Sequence, residues 1–246
     1  VAQSKRAGTV NLTVVLSGRN DNHCGDFLDR MNRSIETILP LKAEIIFVEW
    51  NPPEDRPPIR KVIQHKGIRV ITVERDLHNQ MHGADLLPFF EYRAKNAGIR
   101  RAHGEWILCM NPDILLTPEV RAEISDVLLP GAFYHAARHD IRDGKLVQIA
   151  HGPGDFILMH ANKWKFLTGY LDVVSYSHID SLLCWSAVKI GMGKVELKNP
   201  IFHQEHDRSA HVGRMSIHSS DIHRLVGQRN EPDWGLVNVQ LPEMGT

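Results

Sequence analysis

The residue with the most chemistry written around it is Asp113. It follows the apolar run 105–110, EWILCM, through Asn111 and Pro112, so a carboxylate emerges at the end of a buried strand. In open α/β sheets ligands settle outside the carboxyl ends of the strands, and polar residues reach that edge four times here. Ser17, Gly18, Arg19, Asn20 and Asp21 close the first apolar run, Glu49 ends the second, Arg75 and Asp76 follow the third, and Asp113 follows the fourth. Together they point to a nucleotide crevice. Neither GxGxxG nor GxxxxGK[ST] is present, and Gly191-Met-Gly193 at a helix end reads as a C-cap. A diphosphate bound here therefore needs another counter-charge. A divalent cation on Asp113 supplies it, because Mn²⁺ and Mg²⁺ accept carboxylate, phosphate oxygen and water together. Four of the 15 histidines, His203, His206, His211 and His218, cluster near the last apolar run. Imidazole suits such a metal, so His203, which follows a strand end, or His206 is expected to complete the Asp113 site.

The elements that must position these residues alternate. Continuous apolar runs at 10–17, 43–50, 68–73 and 105–110 read as buried strands. Helical spacing appears at 26–39 (Phe27, Met31, Ile35, Ile38), briefly at 59–64, and at 89–103, where Phe90, Ala94 and Ala97 share a face apart from Arg93, Asn96 and Arg100. The stretch 76–88 has no periodicity and reads as a loop. Thr117 and Pro118 open a helix to 129. Beyond it, strands at 132–141 and 145–149 flank the hairpin signal Asp143-Gly144. A turn at 152–155 leads to a strand at 156–160. Helices follow at 161–167 and 178–190, the second presenting Leu182, Leu183, Ser186 and Ile190 to the sheet, and then a last strand at 194–202. The polar tail beyond Arg214 reads as irregular or partly helical. Strands alternating with helices make a parallel sheet covered on both faces.

Composition excludes several classes. Lys plus Arg and Asp plus Glu are 29 each, so no global field draws the 246-residue chain to nucleic acid or an acidic membrane. No apolar run approaches the roughly 20 residues of a membrane span, and no signal-peptide stretch opens the chain. It begins at Val1 rather than methionine, which leaves room for a removed upstream anchor and leaves localisation open between the cytoplasm and the Golgi lumen. Cys24, Cys109 and Cys184 are widely spaced and outside any CxxC pattern, which argues against a disulfide framework or zinc site; they read as buried small hydrophobes. Asn11-Leu-Thr13 and Asn32-Arg-Ser34 match the glycosylation pattern but fall in a strand and a helix, and read as chance.

The stretch from Arg93 through Asn96, Gly98, Gly104 and Glu105 to Asn111-Pro112-Asp113 resembles the middle of a family 2 glycosyltransferase: a helix carrying N-x-G, then A-x-G-E, an apolar strand and the metal motif. The usual motif is Asp-x-Asp; the Asn-Pro-Asp form resembles the rhamnosyltransferase-like branch. Gly154, Asp155 and Phe156, then Trp164, Gly169 and Tyr170, then His178-Ile-Asp180, and Gly191, are similar to the family's glycine strand, its G-[FY] turn and its Glu-Asp motif opening a helix. Ile201-Phe-His203 followed by Ser209 is a weaker match. Two departures stand out: Asn111 removes a carboxylate from the metal motif, and Ile179 replaces the Glu before Asp180.

The resemblance implies a GT-A fold, α/β with a mostly parallel Rossmann-like central sheet and helices on both faces, as one domain over 1–246. Residues 10–113 would form its nucleotide-binding half, 114–210 its acceptor and catalytic half, and 211–246 a C-terminal tail. It implies an inverting transfer of a sugar from a nucleotide diphosphate, UDP before others, to a hydroxyl of a carbohydrate or other acceptor. Asn20 or Asp21 and Glu49 would contact base and ribose, Arg93 and Asn96 the nucleotide, Asn111 the ribose, and Asp113 the cation. Ser17, Arg19, Pro112, Gly154 and Asp155 would complete the donor site. Asp180 would take the proton from the acceptor hydroxyl, although an acid in a first helical turn also serves as a simple cap. Two rivals stay open at this point: a non-catalytic nucleotide- or glycan-binding module, and a sugar nucleotidyltransferase, whose glycine-rich basic loop LSGRNDN lacks.

Overall fold

A computed structural model describes residues 10–126, 128–151, 154–175, 177–207, 217 and 219–246. The first half follows the apolar runs. β1 (Leu12–Gly18) leads to α1 (Phe27–Ile38), β2 (Glu44–Trp50), β3 (Ile68–Val73), α2 (Arg75–Asn79), α3 (Glu91–Arg101) and β4 (Trp106–Met110). Every residue of β1 and β4 is buried, as continuous β-branched and apolar runs covered on both faces require. On one face Val14, Leu16 and Phe47 pack with Met31, Ile35 and Ile38 of α1. On the other, Ile46 and Val48 pack with Ala94 and Ala97 of α3. α2 replaces part of the loop expected over 76–88. A tertiary contact fixes it, since buried His78 accepts a hydrogen bond from Trp50 Nε1 at 2.9 Å.

Next come β5 (Ile114–Leu115), α4 (Pro118–Ile124), β6 (Ala132–His135), β7 (Arg138–Arg142), β8 (Lys145–Ala150), β9 (Phe156–His160), α5 (Ala161–Leu167) and α6 (Ile179–Lys189). The chain ends with β10 (Gly193–Glu196), β11 (Ile201–Gln204), α7 (Ser219–Leu225) and β12 (Glu243–Gly245). Thr117 caps α4 by accepting from the Val120 N–H, but the helix stops at Ile124, short of the expected 129. The β7–β8 hairpin turns at Asp143 and Gly144, both left-handed with φ 51° and 72°, as a two-residue hairpin turn requires.

An eight-stranded sheet runs β10-β6-β9-β4-β1-β2-β3-β12, and a four-stranded one runs β5-β11-β7-β8. The large sheet is parallel from β4 through β1 and β2 to β3; β9 pairs antiparallel with both β4 and β6, and β12 antiparallel with β3. The runs expected as single strands over 132–141 and 194–202 are each two strands, one in each sheet. β6 and β10 pair in the large sheet and β7 and β11 in the small one, so two chain segments leave one sheet together and enter the other. Pro200, just before β11, has no N–H for a ladder, which suits the break.

Three further expectations are corrected. The tail supplies an edge strand, β12, and is anchored by Arg101, which donates to the carbonyls of Gly235, Leu236 and Val239 at 2.9, 2.7 and 2.9 Å. Ile190 follows α6 and is exposed rather than turned to the sheet. Cys109 is buried and Cys184 half-buried, but Cys24 is exposed, in a short 3-10 turn ahead of α1. Among the described residues no helix is long and apolar enough to cross a membrane.

Candidate active site

A cleft of about 570 Å³ opens at the carboxyl ends of β1 and β4, with residues of the small sheet on its wall. Ser17, Arg19, Asp21, Asn111, Pro112, Asp113, Asp155, Asp180, His203 and His206 all line it. Of the buried polar atoms left without hydrogen-bond partners among the described residues, Ser17 Oγ and Asp113 Oδ1 belong to residues that line this cleft, while Asn20 Oδ1, Glu49 Oε2 and Asn51 Oδ1 belong to residues that do not. Buried polar groups are ordinarily paired, so the unsatisfied ones that line the cleft mark a surface suited to a polar ligand.

Strand register creates the centre of the cleft. β5 follows Asp113 directly and pairs antiparallel with β11, with His203 opposite Ile114, and the Gln204 N–H donates to the Asp113 carbonyl at 3.0 Å. His203 therefore lies within the last strand of the small sheet, not after a strand parallel to β4. Asp113 Oδ2 stands 3.1 Å from His206 Nε2 and 3.5 Å from His203 Nε2. Burial acts to raise the Asp113 carboxyl, but hydrogen bonds and charge from the two histidines outweigh it and hold the group well below the usual carboxylate range. Burial likewise acts to lower His203, and its bond to Asp113 overrides that and raises it.

Behind His203 lies a second layer. Its Nδ1 is 3.2 Å from both Asp140 Oδ1 and Glu205 Oε2, an arrangement that fixes the ring and leaves Nε2 toward Asp113. Arg138 Nε is 2.7 Å from Asp140 Oδ1, and its Nη1 bonds Asp155. Asp155 Oδ1 in turn accepts from Asn111 Nδ2 at 2.8 Å. Asn111 Oδ1 accepts from the wholly buried Lys95 ammonium at 2.6 Å, and Lys95 also donates to Glu91 at 2.5 Å. A line of alternating charge thus runs from α3 to Asp113. Burial works against the Lys95 charge, but Glu91 beside it holds the ammonium above its ordinary value. Burial foremost, with the charge of Asp113, raises the Asp155 carboxyl against the pull of Arg138.

Across the cleft, Asp180 sits in the first turn of α6, whose N-cap His178 is left-handed with φ 68°. A Cβ at Gly154 would fall 1.9 Å from Asp180 Oδ2, so only glycine lets the carboxylate occupy this place. Among the described residues the Asp180 carboxylate makes no hydrogen bond or ion pair, while the Tyr92 phenol bonds its backbone. Burial first, then the charges of Glu91, Asp180 and Asp155, keep that phenol well above its usual value and so neutral.

Four expected residues lie elsewhere. Asn20 is buried behind the cleft wall, donating to the Pro57 carbonyl at 2.7 Å. Glu49 is also buried there, accepting from the Ile59 N–H at 2.8 Å. Arg93 pairs with Asp172 at 2.5 Å and lines a different cavity, of about 510 Å³, with Asn96. Asn96 holds the Tyr170 backbone, giving to its carbonyl and accepting from its N–H, each at 2.8 Å. His211, His218, Ser209 and Gly152 lie outside the described residues. Sequence reasoning missed Lys95, Arg138 and Asp140. The alternation of Arg138 and Asp140 on one strand face was the available signal; for Lys95 it was the i, i+4 pairing with Glu91.

No protein-family model matches the sequence, nor does any curated protein. Among solved structures, S. aureus TarS 1-349 in complex with UDP-GlcNAc is similar with a TM-score of 0.57 and 10% identity over 88% of this chain. A second structure of S. aureus TarS 1-349 gives 0.56 and 10% over 79%. This chain spans 64% and 60% of the length of those two. At that identity the likeness concerns the fold, and with the strand order above it makes this chain a mixed α/β protein of GT-A architecture.

Proposed function

We propose that the cleft is the active site of a glycosyltransferase that inverts the anomeric centre as it moves a sugar from a UDP-linked donor to an acceptor hydroxyl. The observation that carries this reading is the pairing, in one cleft, of a half-buried carboxylate flanked by two imidazoles with a second carboxylate, at a helix start, that has no hydrogen-bond or ion-pair partner among the described residues. The similar fold of TarS, whose structure holds UDP-GlcNAc, supports the donor class.

The first group fits a divalent cation. Asp113, His203 and His206 each offer a ligand atom, all within 4.8 Å of one another, and Asp113 Oδ1 is buried without a hydrogen-bond partner among the described residues. A cation bound there would neutralise the diphosphate leaving group as its charge develops. The protein's own part is to hold Asp113 ionised and to keep the His203 ring aimed through Asp140. Asn111 is held between Lys95 and Asp155, so a neutral residue stands in the motif with a buried ammonium behind it. Asp180 accepts the proton of the acceptor hydroxyl as it attacks, a contribution of about 10² to 10⁴ in rate.

Calorimetry with UDP, with and without Mn²⁺, tests the cation centre. Binding is expected to require the metal, and Asp113→Ala to abolish that requirement along with most of the affinity. His203→Ala and His206→Ala should each raise the Mn²⁺ needed by roughly tenfold or more, since even the partners of metal ligands are worth that much. Metal-independent UDP binding that is unchanged in all three variants would remove the cation from the reading. Donor hydrolysis by the wild type separates an enzyme from a binding module.

A further inference from the structure

At the rim of the cleft three potential ligand atoms converge on one oxygen. The Asp207 carbonyl lies 3.0 Å from His23 Nε2, 3.0 Å from His206 Nδ1 and 3.1 Å from Cys24 Sγ. The Cys24 sulfur is in turn 3.4 Å from His23 Nε2 and 3.9 Å from His206 Nδ1. A carbonyl oxygen has two lone pairs, so three donors crowd it. The five separations just given, 3.0 to 3.9 Å, bracket the edges of a tetrahedron around a small cation, and the three side-chain ligand atoms lie within 4.8 Å of one another. Bonds of about 2.0 to 2.3 Å to nitrogen, oxygen and sulfur give edges of roughly 3.3 to 3.6 Å.

We propose that His23, Cys24 and His206, with the Asp207 carbonyl as fourth ligand, form a second metal site that takes a thiophilic cation, Zn²⁺ foremost. Thiolate and imidazole together select zinc over Mn²⁺ or Mg²⁺, which prefer oxygen. Binding releases the thiol proton of Cys24 to solvent. The ligands come from opposite ends of the chain, which is why cysteine spacing does not reveal the site. Cys24 is the exposed thiol, whereas burial pushes Cys109 and Cys184 up to about 12 and keeps them unreactive. His206 belongs to both centres, its Nε2 facing Asp113 and its Nδ1 facing Cys24. A neutral imidazole has one lone pair, so zinc on Nδ1 leaves an N–H on Nε2 pointing at Asp113. On the reading of Asp113 as a cation ligand, zinc therefore withdraws His206 from that centre.

Cobalt titration of the full chain tests the site without reference to activity. Co²⁺ is expected to produce a thiolate-to-metal absorption band at one equivalent, which Zn²⁺ abolishes. Cys24→Ser should lose the band, and His23→Ala should weaken Zn²⁺ binding by roughly tenfold or more. Asp113→Ala should keep the band, so failure of the Asp113 centre and failure of this one are distinguishable. Protection of Cys24 from alkylation by Zn²⁺, followed by mass spectrometry on the wild type, gives the same answer without a variant. A wild type with no thiolate band and no protection, or a band that survives in Cys24→Ser, overturns the proposal.

Discussion

Gly154 and Asp180 compete for the same space, and glycine yields it. With a built Cβ only 1.9 Å from the Asp180 carboxylate, Gly154→Ala must push that side chain or the α6 start away from the cleft. If Asp180 is the base, Asp180→Asn lowers transfer by about 10²-fold or more while leaving UDP affinity and folding intact. Gly154→Ala should reproduce much of that loss through position alone, and the double variant should be little worse than Asp180→Asn. Single-turnover rates and UDP titrations of all three proteins check this. Normal transfer by Asp180→Asn would return Asp180 to the role of a helix cap. Both residues stand out in the sequence as a motif, but their contact does not, because 26 positions separate them and only the meeting of the 154–155 turn with α6 closes the gap.

At the scale of elements, the small sheet and the tail do most to shape the site and its support. β11 brings His203 beside Asp113 through antiparallel pairing with β5, a two-residue strand too short for any periodicity to show. The hairpin at Asp143-Gly144, the Thr117 cap and the buried runs of β1 to β4 were legible, since each depends on residues close in sequence. The splitting of 132–141 and 194–202 between two sheets was not, because an apolar run reads alike whichever sheet receives it. Among the contacts that fasten the tail, the Arg101 guanidinium alone reaches three carbonyls between 235 and 239. Hydrogen bonds to a charged group are worth about 1.5 to 3 kcal/mol each, and they are not additive. Arg101→Ala should therefore lower unfolding stability by roughly 2 to 4 kcal/mol and expose 230–246 to protease first. Urea denaturation and limited proteolysis measure both; an unaltered midpoint would mean that Trp234 and β12 hold the tail without it.

Stability against pH belongs to the whole molecule, and Glu49 gives it a sign. The residue is enclosed at the end of β2, with Oε2 unpartnered among the described residues, and burial raises its carboxyl against the Ile59 N–H. A raised folded value contributes stability that is present below the unfolded value, about 4.3, and lost as pH rises through the folded one. Glu49→Gln keeps an acceptor for Ile59 and removes the charge. It should be more stable than wild type at pH 7 by roughly 1 to 3 kcal/mol, with the difference vanishing below about pH 4. Thermal unfolding across that range tests it, and parallel curves for the two proteins would mean that Glu49 has a charged partner in solution. The sequence by itself determined the strand-helix alternation, the edge where polar residues gather and the candidacy of Asp113 and Asp180, because these follow from hydrophobic period and from what a strand end exposes. Tertiary structure alone decided that Asn20, Glu49, Arg93 and Asn96 turn away from the cleft, that Lys95, Arg138 and Asp140 stand behind it, and that His206 faces Asp113 on one side and Cys24 on the other. Those outcomes depend on side-chain direction and on contact between segments up to 182 positions apart, and no local pattern encodes either.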